Sequence, residues 1–170
     1  NVNYSAPSIF GVTYYRRIAN SSGVCPPHTG MTLDIIPITP ITSNTISPAQ
    51  TVCSGSIPGL LSGSSPSGGN GIFTYQWQTS FDNVNWLDAT HATQQDYQSP
   101  PLFFMTYFRR VVGAGTCSNA SNTVVLYVTP GLGNNAISSN QTLCIGISPS
   151  LLTGPTPSGG TGSYTYIWES

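Results

Sequence analysis

The chain repeats itself at a spacing of about 91 residues, and this periodicity limits what it can fold into. Three short segments return almost unchanged: Gln50-Thr-Val-Cys53 as Gln141-Thr-Leu-Cys144, Pro66-Ser-Gly-Gly69 as Pro157-Ser-Gly-Gly160, and Tyr14-Tyr-Arg-Arg17 as Tyr107-Phe-Arg-Arg110. The first two return 91 positions later and the third returns 93 positions later. Self-similarity at a fixed period indicates an array of like modules. Residues that recur in each copy are therefore expected to belong to the scaffold.

The repeat divides the chain into three parts. We expect residues 1–39 to be the C-terminal part of a first module, residues 40–130 a complete module, and residues 131–170 the N-terminal part of a third. The joints are predicted at Pro37-Ile-Thr-Pro40 and at Thr129-Pro-Gly131. Proline at these joints favours short, stiff and extended connections.

Composition excludes several classes of function. Only 5% of the residues are charged, against roughly 25% in an ordinary soluble domain. The chain has no lysine and a net charge of −1. It therefore lacks the basic surface that would attract nucleic acids or anionic membranes. No apolar run approaches the roughly 18 residues of a membrane helix. We expect no nucleic-acid binding and no membrane insertion by this segment.

Short alternating apolar runs, broken by Gly, Pro, Asn and Ser, predict an all-β fold. The strongest predicted strand covers residues 72–79, with Phe73, Tyr75 and Trp77 on one face. Further strands are expected at 46–52, 59–64, 86–87, 96–99, 105–113 and 122–129, with a turn at 66–71. About seven strands in about ninety residues match the size of an immunoglobulin-like β-sandwich. In such a fold Trp77 and its counterpart Trp168, with Tyr75 and Tyr107, belong to the structural core.

The four cysteines indicate an oxidising, extracellular setting. Each module has one cysteine before its second strand and one just after the Arg-Arg strand, which predicts a disulfide between Cys53 and Cys117. Cys25 and Cys144 would then pair outside the segment. Four reduced thiols are the alternative, and a metal site is disfavoured because no Cys-x-x-Cys spacing is present.

The arginine pair Arg109-Arg110 is expected to belong to the scaffold, because both modules carry it in the same strand setting. Neighbouring side chains of a strand point to opposite faces, so the two cannot form one basic patch. We expect one to lie across an aromatic ring and the other to reach solvent or a carboxylate, with Asp82 and Asp96 as candidate partners. Trp86 follows a turn and is the one candidate for ligand contact, although packing beneath a short strand is the preferred interpretation.

No pattern of catalytic residues is present in the sequence. Nucleophilic catalysis needs a base near the nucleophile, and the two histidines, His28 and His91, fall in predicted loops of different modules. Nucleotide-binding loops and the Gly-x-Ser-x-Gly motif are absent. We therefore predict that the segment is not an enzyme and uses neither metal nor cofactor.

The repeat motifs together resemble a known class of module. The order Gln-Thr-x-Cys, Leu-x-Gly, Pro-Ser-Gly-Gly-x-Gly, Tyr-x-Trp, Tyr-Phe-Arg-Arg-Val and Cys, found in residues 50–129 and in both flanking parts, is similar to the Ig-like or PKD-like repeats of giant Bacteroidetes cell-surface adhesins. These include the SprB-type gliding-motility adhesins. The resemblance implies an exported, surface-attached filament delivered by type IX secretion, whose partners are the secretion and gliding machinery.

The sequence thus predicts a repetitive stalk segment of an extracellular adhesin, acting as a stiff spacer in attachment or gliding. Its partners would be neighbouring modules of the same chain and, through a binding region, polysaccharide or other surfaces. Two alternatives stay open. One is a carbohydrate-binding β-sandwich, and the other is a subunit of a self-assembling surface filament.

Overall fold

The computed structural model describes residues 3–170, which form β-structure without any helix. Twelve strands lie in this part of the chain: β1 (Thr13–Tyr15), β2 (Ile18–Ala19), β3 (His28–Thr29), β4 (Leu33–Ile35), β5 (Thr39–Thr42), β6 (Gln50–Cys53), β7 (Ser67–Gly69), β8 (Thr74–Ser80), β9 (Leu87–Asp88), β10 (Thr106–Ala114), β11 (Cys117–Ala120) and β12 (Val124–Thr129). The all-β prediction is confirmed. Since there is no helix, nothing in the described residues could cross a membrane in helical form.

One sheet dominates the structure, with the strand order β6-β12-β10-β8-β9. The short strand β11 pairs with the C-terminal part of β10. All of its pairings are antiparallel except that of β6 with β12, which is parallel. Along β10 the side chains alternate strictly between buried and half-buried. This alternation follows from the two-residue period of a strand with one face in the core.

A second layer covers the buried face of this sheet. It consists of the β5–β7 pair and of isolated bridges between Ile46 and Gly63, Leu61 and Tyr97, and Ser56 and Leu102. The core between the layers is formed by Ile46, Leu61, Trp77, Ala92, Leu102, Phe108, Val124 and Leu126. Trp77 and Leu61 are completely inaccessible to solvent, so the core prediction for Trp77 is confirmed.

The flanking parts reproduce pieces of this module in the same register. In residues 3–38, Thr13 lies opposite Ile35, as Thr106 lies opposite Leu126 in the complete module. In residues 131–170, the Ser150 amide donates to Gln141 Oε1 over 2.8 Å, as the Gly59 amide donates to Gln50 Oε1 over 2.8 Å. The sequence repeat is therefore also a repeat of hydrogen bonding.

The strand predictions hold best where the apolar alternation is long. The predicted strands at 72–79, 105–113 and 122–129 correspond to β8, β10 and β12, whereas those at 59–64 and 96–99 form only isolated bridges. The predicted turn at 66–71 was wrong in part, because Ser67–Gly69 forms β7. There β7 pairs with β5, and Gly68 lies so close to the Pro40 carbonyl that a Cβ would stand 2.1 Å from that oxygen.

The turn between β8 and β9 is closed by Asp82. Its Oδ1 accepts hydrogen bonds from the amides of Val84 and Asn85, over 2.9 and 2.7 Å. These bonds, that of Asn85 first, hold the pKa of the Asp82 carboxyl well below its ordinary value of 3.8.

We expect neighbouring leucines at the core boundary to differ sharply in their contribution to stability. Leu61 is completely buried and Leu60 is 51% exposed. Leu61→Ala should lower the free energy of unfolding by about 3 kcal/mol, because it removes buried methyl groups and leaves a cavity. Leu60→Ala is the matched control and should change it by less than about 0.5 kcal/mol. Urea unfolding followed by tryptophan fluorescence measures both, and equal losses would contradict the assignment of the core.

The Asp82 turn should show itself in the acid stability of the protein. A carboxyl whose pKa is lowered on folding stabilises the fold fully above its unfolded pKa, and this contribution is lost as the pH falls through the folded value. The stabilisation by Asp82 should therefore be constant at neutral pH and decline below pH 3.8. Thermal melts across this range should decline less steeply for Asp82→Asn than for the parent chain. Parallel curves would contradict the prediction.

Candidate functional site

The guanidinium of Arg110 is fully buried between the two layers. Its Nε and Nη2 donate to Asn44 Oδ1 over 3.1 and 2.9 Å. Nη1 donates to the Gln95 carbonyl and Nη2 to the Ser64 carbonyl, each over 2.8 Å. A buried cation is tolerated only when its donors are satisfied, and here the acceptors come from three separate segments of the second layer.

Neither of the predicted carboxylate partners accepts a hydrogen bond from the arginine pair. Asp96 Oδ1 accepts a hydrogen bond from the Gly63 amide over 2.8 Å, and Asp82 closes its own turn. The Arg110 guanidinium instead faces the rings of Tyr75 and Trp77, at 5.1 and 6.0 Å from their centroids. Burial lowers the pKa of Arg110, although the charge of Asp96 does act to raise it. An arginine side chain stays charged in a protein.

Asn44 and Gly63 are the structural partners of Arg110 that the sequence interpretation missed. A Cβ on Gly63 would lie 1.8 Å from Arg110 Nη1, so this position has no room for a side chain. Both residues recur 91 positions later, as Asn135 and Gly154. This recurrence was the available signal for their role as scaffold residues.

Arg109 lies on the opposite face of β10, as the alternation predicted. Its Nε donates to Gln78 Oε1 over 2.7 Å, and its guanidinium carbon lies 4.3 Å from the centroid of the Trp86 ring. Trp86 is half-buried. One face of the indole is thus covered by the protein itself, which favours the packing interpretation of Trp86 over ligand contact.

A shallow cavity of about 680 Å³ lies beside the segment from Thr90 to Pro100. Its polar lining includes His91, Asp96 and Gln98, and two of these are already engaged within the protein. Asp96 accepts from the Gly63 amide, and Gln98 Nε2 donates to the Pro58 carbonyl over 2.8 Å. Among residues 3–170, no group of three or more potential ligand side chains could hold a metal ion.

The structure contradicts the predicted disulfide between Cys53 and Cys117. Both are free thiols. Cys117 lies opposite Ala114, at the end of β10, whereas Cys53 lies opposite Thr129, beyond the beginning of β10. The length of β10, roughly 26 Å at ~3.3 Å per residue, separates them. A disulfide requires Cα atoms within about 7 Å. Cys25 and Cys144 are free as well, so their pairing outside the segment stays a prediction.

Trp168 lies outside the core in this chain, and its place in the core of a complete third module stays a prediction. The side chain of Trp168 is 58% exposed, whereas that of Trp77 is fully buried. Trp77 lies in β8, which pairs with β10. Residues 163–170 form no strand, so the second indole lacks the strand pairing that accompanies the burial of Trp77. Tyr75 is half-buried and packs against the core. The core prediction for Tyr107 was wrong, because Tyr107 lies on the same face of β10 as Arg109, opposite the buried face.

The two adjacent arginines should differ in what their removal costs. Arg110→Met should lower the free energy of unfolding by about 3 kcal/mol, because it leaves buried acceptors without donors. Arg109→Met, the matched control, loses a half-exposed ring contact worth about 1 kcal/mol. Equilibrium unfolding in guanidinium chloride measures both losses. The prediction fails if Arg109→Met is the more damaging change.

Comparison with known families is informative for the complete module. A family model described as a domain of unknown function, DUF8696, matches residues 42–130, which is just over half of the chain. No curated protein matches the sequence. The matched residues contain the Arg110 network, both layers of the core, and Cys53 and Cys117. The chain therefore belongs to the DUF8696 family.

Proposed function

We propose that this chain is part of a tandem array of immunoglobulin-like β-sandwich modules, and that the array is a stiff mechanical spacer in an extracellular surface adhesin or filament. The observation that carries the proposal is the placement of the module's two ends. The chain enters along β5, beside the β10–β11 turn, and leaves through β12 at the opposite end of the main sheet. Modules joined in this way extend along one direction.

The contacts of the entry segment support this placement. The Cys117 Sγ lies 3.9 Å from the Thr39 carbonyl oxygen, and Ile38 lies against Gly115. Both contacts are at the end of β10. At the opposite end, the Ser54 amide donates to the Thr129 carbonyl over 2.8 Å, so the exit strand is held up to its last residue.

The joint between successive modules has no free linker. β12 ends at Thr129, and the next residue, Pro130, already accepts a hydrogen bond from the Gly160 amide over 2.8 Å. Pro130 is the counterpart of Thr39, which lies opposite Gly69. One module thus ends where the next begins, which favours a stiff connection over a flexible one.

The ladder geometry suits a chain that carries tension. Pulling on the exit loads β12 along its axis, between parallel β6 and antiparallel β10. Hydrogen bonds in a sheet lie across the strands, so tension along the strand strains many of them at once. The buried tryptophan of β8, Trp77, is also a feature of immunoglobulin-like sandwiches. Export by the type IX route and a place in gliding or attachment follow from the resemblance of the repeat motifs.

Single-molecule stretching of the full chain tests the mechanical proposal. Pulled from its two ends, the chain should show one main unfolding event. Release of the module between residues 39 and 129 should lengthen the chain by about 300 Å, at roughly 3.6 Å per residue less the folded length. A control with handles at positions 39 and 116, both at the same end of the module, should unfold at lower force by peeling. Gradual extension without a distinct event would overturn the spacer proposal.

The carbohydrate-binding alternative makes a different prediction for Trp86. If Trp86 packs under Arg109, Trp86→Ala should lower stability by about 1 to 2 kcal/mol and leave any polysaccharide retention unchanged. If the module binds sugar through this ring, polysaccharide pull-down should be lost at temperatures where the variant stays folded. Sedimentation of the parent chain tests the filament alternative, since a monomer at all concentrations excludes lateral assembly by this segment.

A further inference from the structure

The complete module carries one cysteine at each of its ends, Cys53 and Cys117, and both lie beside the segments where the chain leaves and enters the module. Cys53 lies opposite Thr129, the last residue of β12. The Sγ of Cys117 lies 3.9 Å from the carbonyl oxygen of Thr39, the first residue of β5. The two thiols thus flank the exit of a module and its entry.

The repeat brings these two positions next to each other at a joint. Pro130 is the counterpart of Thr39, 91 residues later, and it directly follows Thr129. The counterpart of Cys117 in a following module would therefore flank Pro130, while Cys53 flanks Thr129. The two cysteines would then stand beside consecutive residues of one extended segment, whose Cα atoms are 3.8 Å apart.

We propose that Cys53 of one module forms a disulfide with the Cys117 counterpart of the following module, so that each joint of the array is cross-linked. This inference rests on the tandem array of the proposed function. It accounts for the four free thiols of the chain, because neither joint within the 170 residues has both cysteines. At the joint near Thr39 only Cys117 is present, and at the joint near Thr129 only Cys53 is present.

The exposure of the thiols suits this reaction. Cys53 is exposed and Cys117 half-buried, so both can be reached by an oxidant after folding. In the reaction a disulfide-bearing oxidant, such as oxidised glutathione or a protein disulfide, is attacked by one cysteine thiolate and releases its first thiol. The second cysteine then displaces the other thiol. The S–S bond forms as two protons and two electrons pass to the oxidant, which is left as two thiols.

A cross-linked joint would change how the array carries load. The joint is a single backbone segment, and rotation about its bonds is the main freedom left between neighbouring modules. A covalent bridge beside this segment removes most of that freedom, and it also connects β6 of one module to the β10–β11 hairpin of the next. Tension would then pass through two covalent paths at each joint.

The full chain lengthened by one repeat tests the proposal, with a second copy of residues 39–129 inserted after Thr129. This creates one joint with the first copy's Cys53 and the second copy's Cys117. After refolding with oxidised and reduced glutathione, mass mapping without reduction should find these two cysteines in one linked peptide pair. The protein mass should be lower by two hydrogens. The two copies would otherwise give peptides of identical mass. One conservative substitution near Cys53 in one copy, and one near Cys117 in one copy, therefore distinguish their peptides.

Serine variants provide the matched controls. Cys53→Ser in the first copy should abolish the linked pair, whereas Cys53→Ser in the second copy should leave it intact. A pair formed within one copy, or free thiols at both positions in the folded protein, would overturn the proposal. Stretching the lengthened chain under reducing conditions tests the spacer separately from the disulfide. Two successive unfolding events of equal length would still support the spacer even if no disulfide forms.

Discussion

The buried guanidinium of Arg110 is the interaction on which the two-layered module depends. Its side chain leaves the main sheet at β10 and binds Asn44, Ser64 and Gln95 in the second layer. Hydrophobic contact is non-directional and could hold the two layers in several relative positions. The planar guanidinium can donate to all of these oxygens in only one arrangement of the layers, because leaving a buried polar group without a partner is costly. The network therefore fixes the alignment that the apolar core stabilises.

The same network shows how a module with few charged residues can still use a charge to stabilise its fold. With 5% charged residues, the surface can form few ion pairs, and exposed pairs contribute little in any case. The charge that contributes most is inside, where amide and carbonyl oxygens surround it in place of a carboxylate. Neutral acceptors avoid a second buried charge and its desolvation. A lysine-free, neutral exterior is compatible with this design.

The ends of the module, rather than any pocket, are where the structure departs from an ordinary single domain. Asp96 and Gln98 beside the shallow cavity are hydrogen-bonded within the fold, and Trp86 is covered by Arg109. At the ends, by contrast, Thr129 of the exit strand directly precedes Pro130, the counterpart of Thr39, and each end holds a free thiol. These features are the ones that support the proposed connection to like modules.

The sequence by itself determined the repeat, the all-β class and the long strands. Both the spacing of 91 residues and the two-residue apolar alternation can be seen along the linear chain without knowledge of its contacts. It also placed Trp77 in the core. Only the tertiary structure decided where the cysteines lie and what Arg110 binds. Spacing along the chain does not report which end of a sheet a residue occupies, so Cys53 and Cys117 suggested a pair that the register of β10 and β12 excludes. Partners of a buried group likewise come from segments that are distant in sequence.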